Sequence, residues 1–445
     1  MKIIHCLNHF LPQQVAGTEV YAWALCKQLQ EMGCDVSILI PNYDSTEPAD
    51  YFYDDLKIHK YAEPSIVDRE LITGQRQVDG LINFLDYLKS EKPDIIHFHE
   101  LAGSNGIGVA HFEAAKSTGA KIVFTMHLSG ITCHTGTLMF ENKTLCDGKI
   151  IESRCAYCAL VRRTGSITKA KVLSAAASPL YNAGINLMEW QSSLGTALSY
   201  PFIIQKLKND LVRIYEACDM MIPITDWYAN ILKLNGVPND KLKVIKQALP
   251  FVSHNSTEKE KRPLKPLKII FVGRIDELKG ITLMLNAIME IPSADIQLDI
   301  YGSGPDANYI SSCKTLTGQN SNISWMGKLS QPDVIKTMMQ YDALILPSMF
   351  SEMSPLVIQE AFAAGIPVIG SNVYGIEEQV KDGVNGLLFE FGNKESLLGV
   401  LRLLIDDHLF LDRLSVNIAA PNNFKEVAME TMIMYRSVSI EKVST

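Results

Sequence analysis

The sequence predicts an α/β protein of two doubly wound parallel-sheet domains, and three observations carry that reading. The chain has 445 residues, too many for one ordinary hydrophobic core and enough for two. Short apolar runs rich in β-branched residues alternate with amphipathic stretches in both halves. Between the halves lies a polar, charged, proline-bearing segment, residues 251–266, with the composition of an interdomain linker. Hydrophobic residues make up 47% and charged residues 20%, the balance of a folded chain rather than a disordered one.

In the first domain, 1–250, strands are expected at Lys2–Leu7, Val36–Ile40, Ile95–His99 and Lys121–His127. The alternation then breaks at 128–211, where a cysteine-bearing loop and Ala-, Ser- and Met-rich stretches read as a helical insertion. It resumes with a strand at Asp219–Ile224, a helix at Trp227–Leu234 and a strand at Lys243–Ile245. The second domain, 267–420, offers strands at Lys268–Val272, Gln297–Tyr301, Ile323–Trp325, Ala343–Pro347 and Pro367–Gly370. Residues 421–445 read as a terminal helix able to pack back on the first domain.

Composition excludes some functions. The net charge of -8 lacks the excess of Lys and Arg that grips a phosphate backbone, so no nucleic-acid partner is expected. The N-terminal apolar stretch is interrupted by His5, Asn8 and His9, unlike a signal peptide, and no apolar run reaches 18 residues. A cytoplasmic protein is expected. Nine cysteines, an odd number, argue against a disulfide framework.

Two segments carry chemistry. In Pro347–Ser371, Ser354 has the character of an N-cap and Pro355 of a first helical residue, while Gly365 and Pro367 supply the stop. The helix between them is apolar on most of its circumference, so Glu360 is buried and needs a partner; the vicinal hydroxyls of a ribose suit it. Glu352 precedes the helix, where the N–H groups of Met353, Ser354 and Leu356 favour an anion and Pro355 has none to give. In the other segment, Phe271–Gly280, a strand ends at Gly273 and is followed by Arg274 and Lys279. Two cations at that edge of an α/β sheet suit a diphosphate.

With Glu352 and Glu360 spaced as Glu-x7-Glu and Arg274 paired with Lys279, the stretch Lys268–Phe391 resembles the C-terminal domain of the glycogen-synthase-like retaining glycosyltransferases. Gly302 and Gly304 of YGSGP and the segment Tyr374–Phe389 fit the same pattern. The resemblance implies two Rossmann-like domains facing a central cleft, the B-type glycosyltransferase fold. It gives Glu352 the donor sugar, Glu360 the nucleotide ribose, and Arg274 and Lys279 the diphosphate. Gly17 and Thr18 resemble the glycine-rich loop facing the donor phosphate, with Ala16 where the family often has glycine. His127 falls where the family often has a histidine near the donor sugar, whereas His97 and His99, on one face of a strand, read as structural or acceptor-side. The resemblance further implies retention of configuration, no dedicated base and no catalytic metal. The expected donor is a UDP-, GDP- or ADP-sugar and the acceptor a saccharide or lipid-linked saccharide, in surface polysaccharide or glycolipid assembly. A sugar-nucleotide epimerase and a non-catalytic nucleotide-sugar sensor are the competing readings. A dehydrogenase is disfavoured because no G-x-G-x-x-G follows the first strand.

The insertion adds two expectations. Cys133, Cys146, Cys155 and Cys158, the last two as C-x2-C, have the residue types and spacing of a structural zinc site, with His134 as a substitute ligand; four reduced thiols are the alternative. From Leu160 to Arg213, Arg162, Arg163, Lys169, Lys171, Lys206, Lys208 and Arg213 stand against only Glu189 and Asp210. Trp190, Leu194, Leu198, Tyr200, Phe202 and Ile203 are interspersed. Such a segment suits an anionic membrane surface, and equally a solvated helical cap.

Overall fold

A computed structural model describes residues 1–63, 68–73, 76–102, 106–250, 266–318 and 320–440; all but the last residue of the linker predicted at 251–266 lies outside them. Two compact units emerge. Unit 1 comprises the described residues of 1–141, 146–250 and 424–440, and unit 2 those of 142–145 and 266–423.

Unit 1 is built on seven strands: β1 (Lys2–Cys6), β2 (Asp35–Asn42), β3 (Ala49–Tyr53), β4 (Leu56–Ala62), β5 (Ile95–Phe98), β6 (Lys121–Met126) and β7 (Met220–Pro223). Their order is β3-β4-β2-β1-β5-β6-β7, and every pairing is parallel except β3 with β4. β1 and β5 are almost wholly buried, which is why they read as continuous apolar runs rather than as alternating ones. One face is covered by the helix Gly17–Glu31, which buries Tyr21, Ala22, Leu25, Cys26 and Leu29 at helical spacing. Against it packs the terminal helix Phe424–Ile440, whose Val427, Met434, Tyr435 and Val438 join the same core.

Unit 2 has six parallel strands: β8 (Leu267–Val272), β9 (Ile296–Tyr301), β10 (Ile323–Gly327), β11 (Ala343–Leu346), β12 (Val368–Ser371) and β13 (Gly386–Phe389), in the order β10-β9-β8-β11-β12-β13. Counted within the unit this is 3-2-1-4-5-6, the doubly wound Rossmann order. The parallel strands of unit 1 follow the same order, with β3 added at the edge. Two doubly wound sheets are therefore present.

Some elements differ from expectation. Lys243–Ile245 forms no strand; it lends two backbone bonds to the sheet edge, Lys243 N–H to Met221 O (3.1 Å) and Ile245 N–H to Pro223 O (3.3 Å), too few for a ladder. The β3–β4 hairpin went unpredicted because β3, ADYFY, is short, aromatic and largely exposed, lacking the alternation of a half-buried strand. β13 was missed as well; its four residues follow a glycine-bearing turn. The insertion is helical, over Glu152–Thr164, Ile167–Asn182, Ser193–Leu198 and Tyr200–Ala217.

Candidate active site

The strand order of unit 2 reverses between β8 and β11, the place where open α/β sheets bind ligands at the C-terminal ends of their strands. The loop after β8 holds Gly273, Arg274 and Lys279; the loop after β11 holds Ser348 to Pro355. Two contacts tie them together. Gly280 sits at φ +70° with Pro347 O so near that a Cβ would stand 1.8 Å from it, and Met349 N–H donates to Leu278 O at 2.6 Å. No side chain other than hydrogen fits at position 280.

That junction brings Lys279 to Glu352 across 73 positions of sequence, Nζ to Oε1 at 2.6 Å, with both side chains mostly buried. Ser348 Oγ–H donates to the same oxygen at 2.6 Å. The ammonium also lies 5.3 Å from the centre of the Phe350 ring. Glu352 Oε2 takes no hydrogen bond among the described residues, so one carboxylate oxygen is neutralised and the other remains available. Behind it, Gly375 at φ +79° backs onto Glu352, where a Cβ would meet Glu352 O at 2.0 Å.

Arg274 is exposed, and its Nε–H is held by the Asp276 carboxylate. Asp276 also caps the short turn Glu277–Lys279 by accepting from Lys279 N–H at 3.1 Å. The cation's direction is thus set by a neighbour two residues away.

Glu360 is buried, as its apolar surroundings required, and accepts a hydrogen bond from Gln331 Nε2 at 2.6 Å. Burial raises its carboxyl above the ordinary 4.5, while Gln331 pulls it down. The helix carrying it runs over Leu356–Ala363, with Pro355 as N-cap in extended conformation and no side-chain cap bond. The expected capping by Ser354 and helical start at Pro355 are therefore corrected by one residue. Proline's fixed φ suits both positions, and at ψ 115° it holds the chain outside the first turn. Met353 and Ser354 lie in the turn before the helix and Leu356 opens it.

Gly302 and Gly304 act within the protein. A Cβ on either would stand 1.9 Å from Gly273 O or Ile275 O respectively, and Gly273 and Ile275 donate to Tyr301 O and Ser303 O. Those glycines let the β9 loop lie flat against the loop bearing Arg274.

Unit 1 presents its own reversal between β1 and β5. There Asn8 N–H donates to Glu100 Oε1 at 2.7 Å, and Ile107 N–H to Asn8 Oδ1 at 2.9 Å. Burial, with the Glu19 carboxylate adding to it, raises the Glu100 carboxyl. Gly17 and Thr18 open the helix Gly17–Glu31 beside this loop, with open space around Gly17. His127, just past β6, is buried; its Nε2 lies 3.4 Å from His99 Nδ1, and Tyr21 meets it edge-on. Burial lowers its pKa to about 3, so at neutral pH it is an uncharged imidazole. His99 in turn meets His5 at 2.8 Å, and His97 bridges Tyr435 and Thr125.

The structure thus brings Lys279, Glu352, Arg274, Gly273, Gly302 and Gly304 around two joined loops, and places Glu360 on the adjoining helix. Sequence reasoning overlooked Ser348, Asp276, Gln331, Gly280 and Gly375. Ser348, four residues before Glu352, was within reach of a local reading; Gln331 arrives from a separate loop and had no signal.

Comparison with known proteins agrees with this architecture. Residues 253–420 match the family model Glycosyl transferases group 1, and residues 15–145 match Glycosyltransferase Family 4. The amylovoran biosynthesis glycosyltransferase AmsK of Erwinia amylovora is 25% identical over 221 residues, 46% of this chain and 52% of that protein. The chain spans about half the length of the curated relatives it matches. Among solved structures, sucrose-phosphate synthase of Thermosynechococcus elongatus superimposes with a TM-score of 0.65 at 16% identity, over 98% of each chain. Anabaena HepE in complex with UDP-glucose gives 0.59 at 12% identity, over the whole of both chains. Two Rossmann-ordered sheets with these likenesses define the B-type glycosyltransferase fold. The group 1 match thus falls on unit 2 and the family 4 match on unit 1.

Proposed function

We propose that this protein is a retaining glycosyltransferase, moving a sugar from a nucleotide sugar to a saccharide or lipid-linked saccharide. The observation that carries the proposal is the buried Lys279–Glu352 pair at the reversal point of unit 2, where one Glu352 oxygen is neutralised and the other is open. In this reading Glu352 Oε2 accepts a hydroxyl of the donor sugar, and the open oxygen of Glu360 accepts from the ribose. Lys279 and Arg274 face the diphosphate, whose charge grows as the glycosidic bond breaks, so no metal is required. The acceptor oxygen bonds the anomeric carbon on the face the diphosphate leaves, and its proton passes to a diphosphate oxygen. His127, being uncharged, serves as a hydrogen-bonding partner to the donor rather than as a cation.

The relative's name, amylovoran biosynthesis glycosyltransferase, supports a role in polysaccharide assembly. Membrane-surface attachment at the insertion is proposed on a narrower patch than the sequence suggested. Lys206, Lys208 and Arg213 are engaged by Asp210, Glu152 and Glu113, and Tyr200 is buried. Arg162, Arg163, Lys169 and Lys171 are exposed without ion pairs among the described residues, and Val172, Ile185, Trp190 and Leu194 are exposed in the same insertion. Among the described residues no helix is long and apolar enough to cross a membrane.

The test is a thermal-shift panel of UDP-, GDP- and ADP-sugars on the wild type, Glu360→Ala and Arg274→Ala. At a hundredfold excess over Kd, one nucleotide class stabilises the wild type by about 2.7 kcal/mol and fails on the variants. If every nucleotide leaves all three proteins unchanged, the proposal is wrong.

A further inference from the structure

Four cysteines on three stretches of the insertion line one small cavity within unit 1. Cys133 follows the short turn Ser129–Ile131, Cys146 lies in the next loop, and Cys155 and Cys158 stand one turn apart on the helix Glu152–Thr164. The cavity measures about 30 Å³ and includes Leu138, Met139, Phe140 and Leu207 in its wall. That is space for an ion or one water rather than an organic ligand, and an apolar wall holds water poorly.

Two of the four sulfurs accept a backbone N–H. Gly148 N–H points at Cys146 Sγ at 3.5 Å, and Ile151 N–H at Cys155 Sγ at the same distance. A positive φ of 76° at Gly148 permits the tight turn that aims the first of these. Arg154 adds a donor with no acceptor: its Nε is buried without a hydrogen-bond partner, although its two terminal nitrogens are taken by Asp147 and Lys149 O.

We propose that Cys133, Cys146, Cys155 and Cys158 bind one structural zinc ion that clamps the Cys133–Cys146 loop to the start of the helical insertion. A tetrathiolate site carries a net double negative charge, and the buried Arg154 Nε–H is the second-sphere donor such sulfurs take. All four cysteines line the cavity, but no three of their sulfurs lie within 4.8 Å of one another. Among the described residues the only three metal-ligating atoms within 4.8 Å of one another belong to His5, His97 and His99, so the thiol set closes by side-chain rotation as the ion enters. The histidine set is the weaker candidate. Both nitrogens of His97 are already bonded, to Tyr435 and Thr125, all three rings are fully buried, and none of the groups bonded to them is anionic to offset a dication.

The experiment measures metal content of the full-length protein purified from zinc-supplemented medium, beside the double variant Cys155→Ser/Cys158→Ser and the variant His5→Ala. Expected are one zinc per wild-type and His5→Ala chain, and none in the double variant. Reloading with Co²⁺ should give the intense sulfur-to-metal charge-transfer band of tetrahedral thiolate ligation. As a check needing no mutation, alkylation of the wild-type cysteines should quicken at least tenfold when a chelator is added. Zinc retained in the double variant but lost from His5→Ala overturns the proposal in favour of the histidines. Metal-free protein whose four thiols alkylate at one rate with and without zinc overturns it in favour of plain reduced cysteines.

Discussion

Lys279 and Glu352 hold each other's charge in a place where neither is well hydrated. Changing Lys279 to alanine leaves a carboxylate near Ser348 without its cation, which costs about 3–5 kcal/mol for a buried pair. A urea titration should record that loss, whereas Glu352→Gln, which keeps the shape and removes the charge, should cost less. If the pair faces the leaving diphosphate, either change should lower kcat by about 10²–10³-fold, measured as sugar transfer with whichever donor binds. Glu360 makes a different prediction. Its carboxyl is raised by burial, so the folded protein keeps the proton to higher pH than the unfolded chain does. Stability of the unliganded protein therefore falls as pH rises through the interval just above 4.5. Glu360→Gln should remove that fall, stabilise the protein at neutral pH and weaken nucleotide binding. A variant less stable than wild type at pH 7 would contradict the assignment.

Elements show which parts of the molecule could be read in advance. The strands β1, β5, β6, β8, β9 and β11 were legible because buried parallel strands are short apolar runs flanked by helices. The site helix was legible because Gly365 and Pro367 end it, and Glu360 stood out as one charge in an apolar row. What escaped depends on long-range partners. Gln331 reaches Glu360 from 29 residues away, and β3 is held in its sheet by pairing with β4 rather than by its own pattern. The histidines of β1 and β5 form a buried set with His127: burial lowers His5, His97, His99 and His127 alike, and His111 on its own helix. Unfolding lets them protonate, so unit 1 should be most stable above about pH 6.5 and lose stability steadily below it. Urea midpoints at pH 5 and pH 7.5 should differ strongly in the wild type and less in His5→Phe. The insertion carries a further expectation: reversing Arg162, Arg163, Lys169 and Lys171 to glutamate should abolish co-sedimentation with anionic vesicles while leaving nucleotide binding intact. Equal sedimentation of both forms would leave the helices a solvated cap.

At the scale of the whole molecule, the two sheets repeat one strand order, and each offers a reversal point where polar side chains gather: Lys279 and Glu352 in unit 2, Asn8 and Glu100 in unit 1. If the proposed donor site at the former is right, Glu100→Gln should raise the KM for acceptor and leave the donor KM unchanged, in a transfer assay varying each substrate in turn. Unit 1 also depends on residues far down the chain. Tyr435 gives His97 a hydrogen-bonding partner, and the helix Phe424–Ile440 seals the face of Gly17–Glu31. A protein emerging from the ribosome in order has made all of unit 2 before that helix appears. The first unit to be synthesised is the last to be finished, and until then the apolar face of Gly17–Glu31 stands open to chaperones, proteases and other nascent chains.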